Sequence, residues 1–231
     1  EDLAFQIAWQ LDEDATASIR DLTLRPAEDG LRVRGGLLEL QRVALEGAKQ
    51  FGLSINGGRV VATDLAIRGT VARQDSGIAT GLFMNRGAVG EFERLLIEDS
   101  VGDAIALDSY QLKTATTITL RDSVIRDIRA SFFDGDLADD ASGLSVTNGS
   151  HARVFDSRFE RIEHSAIFAS SSSLEAERLV LDGDGIATAR GAQVGGSCDQ
   201  EPCYRFTDSQ FLDHGGGGLV AYENFGGPVV P

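Results

Sequence analysis

A small residue followed by an apolar-x-apolar pair recurs along this chain. The segments are Gly30-Leu31-Arg32-Val33, Gly52-Leu53-Ser54-Ile55, Gly81-Leu82-Phe83-Met84, Ala104-Ile105-Ala106-Leu107, Gly143-Leu144-Ser145-Val146, Ala166-Ile167-Phe168-Ala169, Gly185-Ile186-Ala187-Thr188 and Gly218-Leu219-Val220-Ala221. Alternation of this kind has the period of a strand, whose successive side chains point to opposite faces, and not that of a helix. A second apolar set follows each start, in Leu22-Thr23-Leu24, Val43-Ala44-Leu45, Leu65-Ala66-Ile67, Leu95-Leu96-Ile97, Val124-Ile125, Phe159, Leu179-Val180-Leu181 and Phe211-Leu212. Between the two lies a shorter beat, as in Leu37-Leu38-Glu39-Leu40, Val60-Val61, Ala152-Arg153-Val154 and Leu174-Glu175-Ala176. Arg20-Asp21, Arg121-Asp122, Asp156-Ser157 and Asp208-Ser209 mark corners.

Successive starts are 22, 29, 23, 39, 23, 19 and 33 residues apart. A shared minimum with additions at some turns is the signature of a repeat array in which each unit buries its apolar face only against the next. Three short strands per turn, with Gly, Asn and Ser at the corners, predict an all-β parallel β-helix of about eight to nine coils spanning residues 1–231 as one domain. Leucine-rich repeats are excluded because no unit carries their Leu-x-x-Leu-x-Leu-x-x-Asn spacing.

The pattern resembles the right-handed parallel β-helix repeats of the pectate-lyase-like superfamily, in units such as Gly143-Leu144-Ser145-Val146-Thr147-Asn148-Gly149-Ser150 followed by Phe155-Asp156-Ser157-Arg158-Phe159. The resemblance runs from about Ala4 to Tyr222 and bears on fold, because such repeats encode stacking and not chemistry. It implies a bacterial extracellular protein, among whose relatives are polysaccharide lyases, glycoside hydrolases and surface proteins without activity.

Charge narrows the partners. The net charge of −15 would repel phosphate backbones, so nucleic acid is not an expected partner. Lys49 and Lys113 are the only lysines, and arginine carries the rest of the positive charge. No apolar run approaches the roughly 20 residues needed to span a bilayer as a helix. The start, Glu1-Asp2-Leu3-Ala4, has neither the basic region nor the apolar core of a secretory signal. The two cysteines, Cys198 and Cys203, sit in a Gly- and Pro-containing loop near residues 195–204, too few for a structural zinc site. They are expected to form a disulfide that pins the loop, which places the protein outside the cytoplasm: secreted, periplasmic or on the cell surface.

Stacked strands lie about 4.8 Å apart, so equivalent outward positions form columns. One column reads Arg32, Ser54, Phe83, Ala106, Ser145, Phe168, Ala187 and Val220; the next reads Arg34, Asn56, Asn85, Asp108, Thr147, Ser170, Ala189 and Tyr222. Asn56, Phe83, Asn85, Asp108, Phe168 and Tyr222 are the candidate ligand-binding residues, aromatic platforms beside amide and carboxylate groups suited to a carbohydrate. A glycoside hydrolase needs two carboxylates roughly 5 to 10 Å apart, and this face offers only Asp108. The face arginines, Arg32 and Arg34, lie about three coils from it, roughly 14 Å, too far to serve as its base.

Two long turn insertions, at 68–80 and 126–142, leave the same edge of the stack with one coil between them, the placement where binding usually resides in a repeat protein. The second holds Asp134, Asp136, Asp139 and Asp140, an oxygen-rich run that could take calcium but lacks EF-hand spacing. His164 and His214 flank a turn containing Asp182 and Asp184, though the histidines are about two coils, roughly 10 Å, apart. No Ser/His/Asp set follows from spacing, and Ser170-Ser171-Ser172-Ser173 reads as a turn. The first strand, Ala4-Phe5-Gln6-Ile7-Ala8-Trp9, has no capping helix before it, so the chain is expected to be a piece of a longer protein or to stack end to end on a partner. The sequence therefore predicts a scaffold, or a module binding a polysaccharide or another surface protein, with no evident catalytic set. The alternative is a polysaccharide lyase or glycoside hydrolase acting on an acidic or complex polysaccharide around Asp108 and the acidic loop.

Overall fold

The alternating segments pair with their counterparts one repeat away. The computed structural model describes residues 7–26, 28–73, 77–109, 114–133, 136–139, 141–196, 203–221 and 229–230. Its first sheet contains, in hydrogen-bonded order, β1 (Ile7–Leu11), β3 (Asp29–Val33), β5 (Phe51–Asn56), β7 (Thr80–Asn85), β10 (Asp103–Asp108), β15 (Ser142–Thr147), β18 (Ser165–Ser170), β21 (Arg190–Gly195) and β24 (Leu219–Ala221). All neighbours are parallel, with Leu31, Leu53, Leu82, Ile105, Leu144, Ile167, Ala192 and Leu219 in register.

The second sheet collects the other two segments of each repeat. Its strands are β2 (Thr16–Leu24), β4 (Leu37–Glu46), β6 (Arg59–Arg68), β8 (Val89–Glu93), β9 (Leu96–Glu98), β11 (Thr117–Arg121), β12 (Val124–Ile128), β16 (His151–Phe155), β17 (Arg158–Ile162), β19 (Ser173–Glu177), β20 (Val180–Asp182), β22 (Tyr204–Thr207), β23 (Gln210–Leu212) and β25 (Val229–Val230). Its pairings are also parallel. The chain thus alternates between two long parallel sheets, an order compatible with a parallel β-helix. The expected three strands per turn merge into two sheets, because β2, β4 and β6 each run unbroken through both the second and third segments.

Two further expectations change. Gly185-Ile186-Ala187-Thr188 is a turn, and the strand of that repeat is β21, five residues or so on, so Gln193 and Gly195 take the outward places expected of Ala187 and Ala189. The 126–142 insertion contains an antiparallel hairpin, β13 (Ser131–Phe133) with β14 (Asp136–Asp139).

At several starts the small residue has a steric cause. A Cβ on Gly52 would lie 2.6 Å from Ile67 Cγ2 and 2.7 Å from the Gly81 carbonyl, and one on Gly143 would lie 2.5 Å from the Ala166 carbonyl and 2.6 Å from Phe159 Cδ1. Here the third segment's Ile67 and Phe159 press against the first sheet, and no larger residue fits. Between the sheets the inward residues, among them Leu53, Ile55, Leu82, Met84, Ile97, Leu107, Leu120, Leu144 and Phe159, form one buried cluster. Each such side chain contributes about 1.5–3 kcal/mol through burial.

Candidate functional site

Strand alternation sends Arg32, Ser54 and Phe83 to the outer face of the first sheet, and the chain at the edges of these strands adds Phe51, Arg34 and Arg86. Together with Asn56 and Glu13 they line a groove of about 500 Å³. Phe51 and Phe83 form its aromatic wall, with ring centroids 5.3 Å apart and planes inclined at 28°. The Asn56 amide donates to Ser54 Oγ at 2.9 Å, fixing a polar floor beside the rings.

The groove's charge is unusual for so acidic a chain. Arg32 Nη2 donates to Asp29 Oδ2 at 2.5 Å, while its Nε is buried without a hydrogen-bond partner. Burial raises the Asp29 carboxyl above the ordinary range, against the opposing pull of Arg32. Arg34, just past β3, and Arg86, in the turn after β7, make no ion pair among the described residues. One carboxylate, Glu13, joins these guanidiniums in the lining among the described residues.

Elsewhere many arginines are committed to neighbouring repeats, while Arg20, Arg129 and Arg205 make no ion pair among the described residues and Arg121 lies over the Phe155 ring. Asp21, Arg42, Asp64, Arg94, Asp122, Asp156, Arg178 and Asp208 occupy one corner column of the second sheet, and all have positive φ. Arg42 grips Asp21 through two bonds of 2.5 and 2.8 Å, and Arg178 grips Asp156 at 2.6 and 2.8 Å. Arg94 holds Asp64 at 2.6 and 3.2 Å. The hydrogen bonds from these arginines lower the pKa of Asp21, Asp64 and Asp156. On the adjoining edge Arg68 and Arg126 share Glu98, and Arg161 holds Asp127 at 2.6 and 2.8 Å. Those donors lower Glu98 and Asp127 likewise.

The residues singled out from sequence are partly gathered by this face. Asn56, Phe83, Asn85 and Asp108 lie on successive strands, and Phe83, Asn56 and their neighbours build the groove. Asn85 adds a buried side-chain oxygen without a partner. Asp108 accepts from Asn148 Nδ2 at 2.9 Å, and its strand neighbours are Asn85 and Thr147. Phe168 is half-buried two strands beyond Asp108, away from the groove. Tyr222 lies outside the described residues, as do Asp134 and Asp140; for Asp136 and Asp139 only their backbone places in β14 are described. Cys203 is buried and no cysteine among the described residues is free, while Cys198 lies outside them.

The histidine corner does not converge. His214 Nε2 lies 3.0 Å from the Leu181 carbonyl and His164 Nε2 lies 3.5 Å from Arg190 Nη1, while Asp182 accepts from the Asp184 backbone. No group of three His, Cys, Asp or Glu able to hold a metal occurs among the described residues. Sequence spacing also missed a contact between His151 Nδ1 and Ser173 Oγ, 2.5 Å apart across neighbouring strands of the second sheet. No helix among the described residues is long and apolar enough to cross a membrane.

No protein-family model, no curated protein and no solved structure matches this chain. The functional reading therefore rests on the geometry of the groove.

Proposed function

We propose that this chain is a right-handed parallel β-helix from a secreted, periplasmic or cell-surface protein, and that it acts as a carbohydrate-binding module through the outer groove of the first sheet. The observation that carries the reading is the stacked Phe51–Phe83 pair beside the Ser54–Asn56 polar floor, in a groove of about 500 Å³. An apolar platform flanked by fixed polar groups suits the mixed apolar and hydroxylated faces of a sugar ring. Parallel strands paired on both sides hold this constellation in place, as a binding scaffold requires. A disulfide between Cys203 and Cys198 would fit an oxidising compartment.

The hydrolase or lyase alternative asks for a second acid beside Asp108. Among the described residues Asp108 accepts from an amide, Asn148, and its neighbours in register are Asn85 and Thr147. The aromatic wall and its polar floor favour binding as the first reading.

A glycan array and a polysaccharide-cleavage assay, run side by side on the wild type and on Phe83→Ala, test it. Glycan retention that weakens in Phe83→Ala, with no products released, is the expected result. Product release abolished by Asp108→Ala would replace the module with an enzyme, and a blank array would remove carbohydrate as the ligand.

A further inference from the structure

We propose that the groove's ligand is anionic, a glycan carrying carboxylate or sulfate groups on its rings, gripped directly by the guanidinium groups of Arg34 and Arg86 without an intervening divalent cation. The inference rests on the carbohydrate-binding reading above and names the charge class of that ligand.

The first observation is that two arginines without an ion pair among the described residues meet in one groove beside an aromatic wall. In a chain of net charge −15, Arg42, Arg94, Arg161 and Arg178 are each locked by a carboxylate of an adjacent repeat. Arg34 and Arg86 line the groove without an ion pair among the described residues, and Arg32 brings a buried Nε without an acceptor. Arg32 is itself bonded to Asp29, so the donors open to a ligand are those of Arg34 and Arg86, both exposed. Guanidinium groups present planar forks that match carboxylate and sulfate oxygens.

The second observation is spacing. Arg34 follows β3 and Arg86 follows β7, with β5 between them. Two strand separations amount to about 10 Å, close to the length of a disaccharide. The Phe51–Phe83 platform lies in the same interval. A glycan running along the stack would place one charged group at Arg34, rest a ring against the aromatic wall, and place the next charge at Arg86. Glu13, the lone carboxylate of the lining, disfavours acidic groups at the edge of the groove and helps fix the position of the charged sugars. Two arginines without an ion pair among the described residues face the ligand directly, so it needs no calcium bridge.

The experiment measures binding of alginate, dextran sulfate and uncharged dextran by titration calorimetry, with calcium and with EDTA, at low and at high salt. The proteins are the wild type, Phe83→Ala, Arg34→Gln/Arg86→Gln, and Arg94→Gln as a corner control. Expected are acidic polymers bound about tenfold or more tightly than dextran, a loss of about tenfold in the double variant at unchanged melting temperature, no loss in Arg94→Gln, and weakening by salt. The alginate and dextran sulfate arms tell which charged group is preferred. Equal affinity for dextran, an unaltered double variant, or binding abolished by EDTA would overturn the charge assignment. If dextran binds and Phe83→Ala abolishes it while the double variant is unaffected, carbohydrate binding survives and only the charge assignment falls. No binding by any of the three polymers sinks both.

Discussion

Arginine does two different things in this molecule. At the corner of the second sheet Arg42, Arg94 and Arg178 each grip an aspartate of the preceding repeat through paired hydrogen bonds, and the backbone there sits at positive φ. A left-handed conformation disfavours a residue with a Cβ by about 1–2 kcal/mol, and Asp tolerates it better than Arg. At the corner the fork to the neighbouring aspartate accompanies that strain and ties one repeat to the next. In the groove of the first sheet, Arg34 and Arg86 stand beside an aromatic wall with no carboxylate holding them. The same side chain staples when its partner comes from the adjacent repeat and stays available when none does. Counting charges along the sequence cannot separate these roles; register can.

The comparison breaks first if the shared core fails to dominate stability. Phe159→Ala is expected to lower unfolding free energy by about 3–5 kcal/mol in urea titrations, because its ring is fully buried against the first sheet. A loss below about 1 kcal/mol would mean the sheets are not packed on one another there.

Next comes the collective effect of acid on the corners. Arg42, Arg94, Arg178, Arg68 and Arg161 hold Asp21, Asp64, Asp156, Glu98 and Asp127 below the usual carboxylate range. Each therefore contributes stability that is fully present above the unfolded value of roughly 4 and is lost as pH falls through the lower folded value. Asp29 runs the other way, since its raised pKa makes its contribution largest when protonated and removes it as pH rises. The melting temperature should hold steady from pH 7 to about 5 and drop below about 4. A flat profile down to pH 2.5 would show that the corner pairs do not stabilise the fold.

Smaller is the effect of truncating the aromatic wall. Phe83→Ala should weaken glycan affinity by about 0.5–1.5 kcal/mol while leaving the melting temperature nearly unchanged, read by calorimetry and thermal denaturation together. A large stability loss with intact affinity would make Phe83 a packing residue. Smallest is a single corner pair. Arg161 and Asp127 are each about one-third exposed, so a double-mutant cycle of Arg161→Gln and Asp127→Asn should give a coupling of at most about 1 kcal/mol. That cycle should leave groove affinity untouched, whereas Arg34→Gln/Arg86→Gln should reverse the pattern.

Much of the architecture was legible because alternation survives wherever Leu, Ile, Val or Met faces inward, as at Leu53 and Ile55 or Leu82 and Met84. It failed at Gly185-Ile186-Ala187-Thr188, whose small-apolar sequence imitates a start. The true strand there has Ala192 inward, and the Phe206–Phe211 pair, with centroids 5.6 Å apart, occupies space that Leu or Ile fills in other repeats. The groove was half visible. Phe83, Asn56, Arg32 and Arg34 follow from outward alternation, but Phe51, Arg86 and Glu13 lie at strand edges or in turns, where period two says nothing about direction. Phe51 precedes the small residue of its repeat by one position, the clue that was available. The corner column was legible only as isolated Asp and Arg residues; that Arg42, Arg94 and Arg178 each face an aspartate depends on insertions that change the sequence separation and leave the register intact.

That register also governs how the chain reaches its folded state. Each strand of the two long sheets pairs only with those one repeat before and after it, so an ordered repeat is a template for its neighbours and growth resembles closing a zipper more than collapse around a single centre. Such a chain can begin ordering at any interior repeat and extend both ways, and amide exchange should mark the result as a gradient. Protons in β7, β10 and β15 would be the last to exchange, while those in β1 and β24, each with a single partner strand among the described residues, would go first.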